Sequence, residues 1–355
     1  MLYPAIIDVN LDSVPGECTL SRYGSTNREV FCSDGENYNL HRLRLVRAAV
    51  RDRFLSVSSG VREADPLKVF VKQEPHKVSK IDSNRFRLIM SVSLIDALVD
   101  RILFMRLSEK VLDNFHRTNI MIGWSPIKGG YRLISSLFNG VDPIAIDKSA
   151  WDWTVPHWLL LEVQELLLNL AIEAPEWYIT AVRTRFTMLF QEPVFVFPDR
   201  TVGSQPFPGI MKSGCYLTIL INSLCQFFLH ELACHYLELE VEDLEPFVAM
   251  GDDTLQRNFQ QFPEYVEFLQ QLGFTLKVVE GVCEFAGFTY DNNFIPAYLD
   301  KHLFILSHLQ RSEQAEDLLK SYQMMYYFHK EMIFFLRTLA RLIGMPRAII
   351  SDDRL

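Results

Sequence analysis

The tripeptide Gly251-Asp252-Asp253 ends the apolar run Phe247-Val248-Ala249-Met250 and is followed by Thr254-Leu255-Gln256. Adjacent carboxylates at the tip of an apolar segment repel each other, and hard divalent cations prefer carboxylate oxygens. An apolar strand, a glycine turn and two Asp predict a tight hairpin whose apex offers carboxylates to a metal. The same tripeptide also serves as an ordinary turn or helix cap.

A second acidic pair lies upstream in Ile144-Ala145-Ile146-Asp147-Lys148-Ser149-Ala150-Trp151-Asp152-Trp153. Here too an apolar run of strand type ends at an Asp, with another following after four residues. One single and one double carboxylate site at strand ends are what a two-metal phosphoryl-transfer centre requires. Taken alone, Asp147 also suits a helix N-cap and Asp152 a solvated loop.

Between the pairs runs Ser213-Gly214-Cys215-Tyr216-Leu217-Thr218-Ile219-Leu220-Ile221-Asn222-Ser223. Ser213-Gly214 supplies a turn before a helix. On that helix Thr218 and Asn222 share a face, where they serve as caps and back-bonded hydroxyls or read a sugar hydroxyl.

A basic segment spans residues 69–89. Its cations Lys72, Lys80, Arg85 and Arg87 fall on an extended stretch broken by Pro75. Arg85 and Arg87 alternate with apolar residues, so on a strand they point to one side and can clamp a triphosphate. A charged edge strand that resists aggregation has the same pattern.

The net charge of −9 opposes nucleic-acid binding only if charge is spread evenly. It is segregated. Residues 41–110 carry 15 Lys and Arg against 8 Asp and Glu, whereas residues 231–285 carry 2 against 12. A basic front end can meet phosphates while an acidic middle hosts metal. The six Cys show no zinc spacing and suit a reducing compartment. The most membrane-like stretch, 216–232, is interrupted by Thr218, Asn222, Gln226, His230 and Glu231, so it reads as a buried helix with no intrinsic span. Helical spacing is predicted over 42–54, 93–111, 158–171, 178–190 and 316–344, and a hairpin over 194–202. The aromatics Tyr322, Tyr326, Tyr327, Phe328, Phe334 and Phe335 suit a core or a base-stacking platform.

A basic strand, Asp-x4-Asp, Ser-Gly-x3-Thr-x3-Asn and Gly-Asp-Asp, in that order, resemble the motif series of viral RNA-dependent RNA polymerases. The wording is most similar to the sobemovirus and luteovirus-like group of positive-strand RNA viruses. Lys72-Gln73-Glu74-Pro75-His76, residues 87–96, Trp151-Asp152-Trp153 and Ala249-Met250-Gly251-Asp252-Asp253 carry that closer likeness. The resemblance runs from about residue 68 to 290.

The resemblance implies an α+β right-hand fold with an antiparallel palm sheet backed by helices. Fingers occupy residues 1–140, and a palm occupies 141–300 with a fingers insert near 172–212. A short helical thumb occupies 301–355, which fits a truncated or divergent chain or one product of a polyprotein. Asp147, Asp252 and Asp253 then bind two Mg²⁺ ions, with Mn²⁺ able to substitute. Asp152 and Asn222 recognise the ribose 2′-hydroxyl, supported by Ser213 and Thr218. Arg87 contacts the triphosphate, and Lys72, Lys80 and Arg85 line its path. Lys277 is the candidate general acid for pyrophosphate. Phe285-Ala286-Gly287-Phe288 stands where the family grips the primer, although Ala286 replaces a frequent Cys. Expected partners are template RNA, nascent RNA, nucleoside triphosphates and other viral replication proteins, in a membrane-associated complex of the host cytoplasm. A catalytically silent RNA-binding remnant and a reverse-transcriptase-like enzyme are the alternatives.

Overall fold

Strict alternation in Ile144-Ala145-Ile146-Asp147-Lys148 builds the centre of the molecule. In the computed structural model, which describes residues 2–309 and 312–355, Ile144, Ile146 and Lys148 are buried on one face of a strand and Asp147 is exposed on the other. Eleven strands are described: β1 (Leu67–Val71), β2 (Leu88–Ser91), β3 (Pro143–Lys148), β4 (Val194–Val196), β5 (Val202–Ser204), β6 (Phe247–Met250), β7 (Asp253–Arg257), β8 (Leu276–Glu280), β9 (Glu284–Phe285), β10 (Phe288–Tyr290) and β11 (Phe294–Pro296).

The central sheet has the order β6-β7-β3-β8 and is antiparallel throughout. The outer side of β6 is covered by Asn119–Met121, since Met121 N–H donates to the Ala249 carbonyl (2.8 Å) and Ala249 N–H to that of Asn119 (2.9 Å). A second sheet, β2-β1-β4-β5, is mixed, because β1 and β4 pair in parallel. A small antiparallel sheet, β11-β10-β9, follows the centre.

The helices are α1 (Leu2–Ile7), α2 (Asn27–Phe31), α3 (Leu40–Ser58), α4 (Val78–Asp82), α5 (Leu94–Asp113), α6 (Tyr131–Leu137), α7 (Trp151–Thr154), α8 (His157–Asn169), α9 (Glu176–Phe190), α10 (Thr218–Tyr236), α11 (Phe262–Gln271), α12 (Leu299–Ser307), α13 (Glu313–Met325) and α14 (Lys330–Leu342). Ser93 caps α5 by accepting from Asp96 N–H. Three helices are tied by buried charge: Arg185 of α9 holds Asp100 of α5 at 2.7 and 3.0 Å, and Arg53 of α3 holds Asp96.

The main core packs the buried side of β3 against α10 and α11 and continues through α3, α5, α8 and α9. A smaller core joins Trp124 and Ile134 to Phe285, Tyr290 and Phe294. The C-terminal helices have a third, around Leu319, Tyr326 and Leu336.

Two expectations about local structure need correction. The basic segment is not extended throughout: Lys80 lies on the short helix α4, and Arg85 and Arg87 lie in coil before β2. Left-handed Asn84 (φ 53°) closes α4, and Arg85 N–H returns to the Lys80 carbonyl at 2.8 Å. The stretch 316–344 is two helices. They part at His329, whose ring accepts from Met332 N–H as the cap of α14 (3.2 Å), while Phe328 leaves to pack on Tyr131 and Phe294. Of the aromatics there, Tyr322 and Tyr326 are core residues, whereas Phe334 is exposed.

Candidate active site

The turn between β6 and β7 contains only Gly251 and Asp252, because Met250 and Asp253 are still ladder partners. Gly251 has φ 65°, the left-handed region that such a loop demands and a side chain resists. Its N–H donates to Ser223 Oγ on α10 at 2.8 Å, so the helix behind the sheet anchors the turn. Asp252 and Asp253 are exposed at the tip.

The ladder places Asp147 beside this tip. Ile146 pairs with Thr254 on β7, and Asp147 pairs directly with Lys277 on β8. Asp147, Asp253 and Lys277 line one small hollow together with Glu284, Gly287 and Tyr298. Although Asp253 reaches solvent at the tip, the walls of this hollow partly desolvate its carboxyl and, with Asp252 and then Asp147, push it up to about 6. Asp252 is also raised, by burial and then by Asp147, with Arg87 and Lys148 opposing.

Among the described residues, no three Asp, Glu, His or Cys side chains are already gathered tightly enough to hold an ion. The donor chemistry still fits a hard divalent cation. The negative charge of Asp147 raises the proton affinity of Asp252 and Asp253, Asp252 adds to that of Asp253, and a cation between the carboxylates relieves the repulsion.

Asp152 lies in the first turn of helix α7, and its carboxyl is raised by burial and by Asp252, while a hydrogen bond from Asn222 opposes this. Asn222 is 5% exposed and its Oδ1 has no partner, so a buried acceptor stands open beside Asp152. Ser213 and Thr218 do not join them. Ser213 Oγ donates to the Leu88 carbonyl (3.1 Å), and Thr218 Oγ1 donates to the Lys212 (2.8 Å) and Cys215 (2.9 Å) carbonyls. Both hydroxyls hold the loop and helix start in place.

The basic residues divide as well. Lys72 and Arg87 converge on Glu74 at 3.2 and 3.1 Å, and Lys301 of α12 approaches the same carboxylate at 3.7 Å. Arg87 also feels Asp152 and Asp252. Arg85 Nε instead donates to Ser83 Oγ at 2.8 Å, and Lys80 is exposed on α4.

Four features escaped the sequence reading. Lys148 lies buried behind Asp147 and donates to Gln226 on α10; burial lowers it to about 8, against Asp147 and Asp252. Lys212, fully buried, donates to Gln205 Oε1 (2.8 Å) and to the Gly209 (3.2 Å) and Ile210 (2.6 Å) carbonyls, which locks the loop ahead of Ser213. Glu74 gathers three cations, and Ser223 holds the carboxylate turn. The signal for Lys148 was present, since alternation from Asp147 puts it on the core face. Glu74 and Ser223 act through contacts distant in sequence, and Lys212 through nearby loop atoms that no periodicity or motif marks.

Residues 38–287 match the family model of the viral RNA-dependent RNA polymerases. The chain is 30% identical over 307 residues to the RNA-directed RNA polymerase of Mushroom bacilliform virus, covering 81% of this chain and 70% of that protein. It is 32% identical over 275 residues to replicase polyprotein P2AB of Southern bean mosaic virus and 28% over 269 residues to protein P1-P2 of Potato leafroll virus. It covers 70% of the first relative but only 26% of P2AB and 23% of P1-P2. With the family model matched over most of the chain, and relatives among the sobemovirus and luteovirus-like group, this chain belongs to the viral RNA-dependent RNA polymerases.

Proposed function

We propose that this chain copies an RNA template by adding ribonucleotides from nucleoside triphosphates to the 3′-hydroxyl of a growing strand. The observation that carries the proposal is the convergence of Asp147 with Asp252 and Asp253, next to Asp152 and the open acceptor of Asn222. A silent remnant has no need to hold three repelling carboxylates beside a buried amide oxygen left without a partner.

On this reading residues 1–140 act as fingers, 141–300 as palm with an insert near 172–212, and 301–355 as a thumb. The separate C-terminal core and the antiparallel central sheet support that division. Asp147, Asp252 and Asp253 would hold two Mg²⁺ ions, or Mn²⁺ in their place. When bound, these would lower the barrier by neutralising charge on the attacking and leaving oxygens.

The chain's own residues do the remaining work. Arg87 and Lys72 exchange the Glu74 carboxylate for the triphosphate, with Lys80 and Arg85 along its path. Asp152 and Asn222 bind the 2′-hydroxyl, which both donates and accepts. Ser213 and Thr218 fix the loop and helix that present Asn222. Lys277 donates its proton to the departing pyrophosphate oxygen. Sequence choice is left to base pairing with the template.

The setting we propose is the host cytoplasm, on membranes reached through other replication proteins. No helix among the described residues is long and apolar enough to cross a bilayer.

Template-directed ribonucleotide incorporation on a short primed RNA, with Mg²⁺ or Mn²⁺, tests the reading beside Asp252→Ala. Template-dependent incorporation that is lost in the variant is the expected result. A folded, RNA-binding but inactive chain overturns it in favour of the remnant, and preference for deoxynucleotides overturns the roles of Asp152 and Asn222.

A further inference from the structure

Away from the carboxylates, α3, α5 and the α8–α9 corner enclose an open hollow of about 700 Å³. Its floor is apolar, built from Val50, Phe54, Leu103, Leu107, Leu167 and Tyr178. Trp177 and Leu170, 47% and 52% exposed, extend that surface at one lip. It shares no lining residue with the hollow of Asp147 and Asp253.

The flanks are cationic. Arg44, Arg47 and Arg51 recur at helical spacing along α3, and Arg51 lines both this hollow and a smaller one beside it. Arg106 and Lys110, four residues apart on α5, line it too. Arg106 pairs with Glu109 at 3.0 Å. Among the described residues, Arg44, Arg47, Arg51 and Lys110 make no ion pair, and all four are exposed. Unpaired cations from two helices beside an apolar floor amount to a negative image of an acidic amphipathic ligand.

We propose that this groove is a docking site for an acidic amphipathic α-helix of a partner protein, its apolar stripe bordered by Glu or Asp. The length fits: from Arg44 to Phe54 α3 advances roughly 15 Å, about three turns of a docked helix. The concave floor receives protruding side chains, which a flat bilayer does not supply. RNA would meet the cations and leave the apolar floor bare.

Fluorescence anisotropy with two labelled 18-residue peptides tests this on the full chain. Both carry a Leu/Phe stripe at helical period; one is flanked by Glu and the other by Lys. The Glu peptide is expected to bind and the Lys peptide not. The surface variant Arg51→Glu/Lys110→Glu, with its unchanged melting temperature as the fold control, should weaken the Glu peptide by about tenfold and gain affinity for the Lys peptide. Leu107→Ala should weaken the Glu peptide without inverting the charge preference. Equal binding of both peptides, or affinity untouched by the charge reversal, overturns the proposal. So does stronger, reversal-sensitive binding to 4:1 phosphatidylcholine–phosphatidylserine vesicles, which would assign the face to a membrane. Displacement of the Glu peptide by a 20-base-pair RNA duplex with no effect of Leu107→Ala would assign it to RNA.

Discussion

Asp147 and Lys277 stand directly opposite each other on adjacent antiparallel strands, so a carboxylate and an ammonium leave the same face of the sheet beside the Asp252-Asp253 turn. This pairing puts the candidate proton donor on the rigid scaffold that also carries the candidate metal ligand. Lys277→Met should lower the rate of primed incorporation about 10²- to 10³-fold with little change in nucleotide affinity, and Lys277→Arg should recover part of it. Single-turnover kinetics separates the two parameters. A variant altered only in affinity would make Lys277 a binding residue.

Sugar discrimination should reside in Asp152 and Asn222. For Asn222→Ala, kcat/KM is expected to drop about 10- to 100-fold for a ribonucleotide and hardly at all for its 2′-deoxy analogue. Parallel competition assays with the two substrates measure the ratio. Equal losses would mean that the open Asn222 Oδ1 does not face the sugar.

His230 should make the fold acid-sensitive. Its ring is stacked on Phe247 at 4.1 Å and bonded to Tyr265, and burial, aided by Lys148, lowers it to about 4. The unfolded chain protonates this group near its ordinary value and the folded chain resists. Stability is therefore present in full above pH 6.5 and lost as pH falls toward 4, by a few kcal/mol at most. Urea titrations across that window should show the slope, and His230→Phe should flatten it. An unchanged slope would assign the acid sensitivity to other groups.

Gln256 is buried in β7 at 1% exposure, and neither atom of its amide has a partner. Replacing it with the similar-sized Met should stabilise the fold by about 1–3 kcal/mol, which scanning calorimetry registers as a melting temperature higher by a few degrees. A lower melting temperature would show that the amide is satisfied by internal water.

Legibility followed the range of the interactions. The carboxylate hairpin could be read in advance because a two-residue glycine turn between apolar segments has few backbone solutions. Strand β3 could be read from its apolar run ending at Asp147, and α5 from Ser93 and its apolar stripe. The parallel pairing of β1 with β4 could not, since Lys68 and Val196 meet only after the chain between them has folded. The helical turn carrying Lys80 was hidden by Pro75 and the nearby cations, which read equally well as extended chain. Thr218 was grouped with Asn222 by spacing and Ser213 by the family resemblance, yet both hydroxyls are taken up by backbone carbonyls. Spacing assigns a face; it does not say which polar groups the backbone has already claimed.

Ser223 and Asn222 are consecutive on α10, and Ser223 holds the Gly251 amide while Asn222 stands beside Asp152. On the proposed reading, the tolerance of the sugar pocket and the pitch of the carboxylate turn are geared through one helix. A shift of α10 that widened the pocket would drag the turn out of alignment. Efforts to make this chain accept 2′-modified nucleotides for synthetic transcripts should therefore begin at Asp152, which rides on a different element and can be reshaped without disturbing that gear.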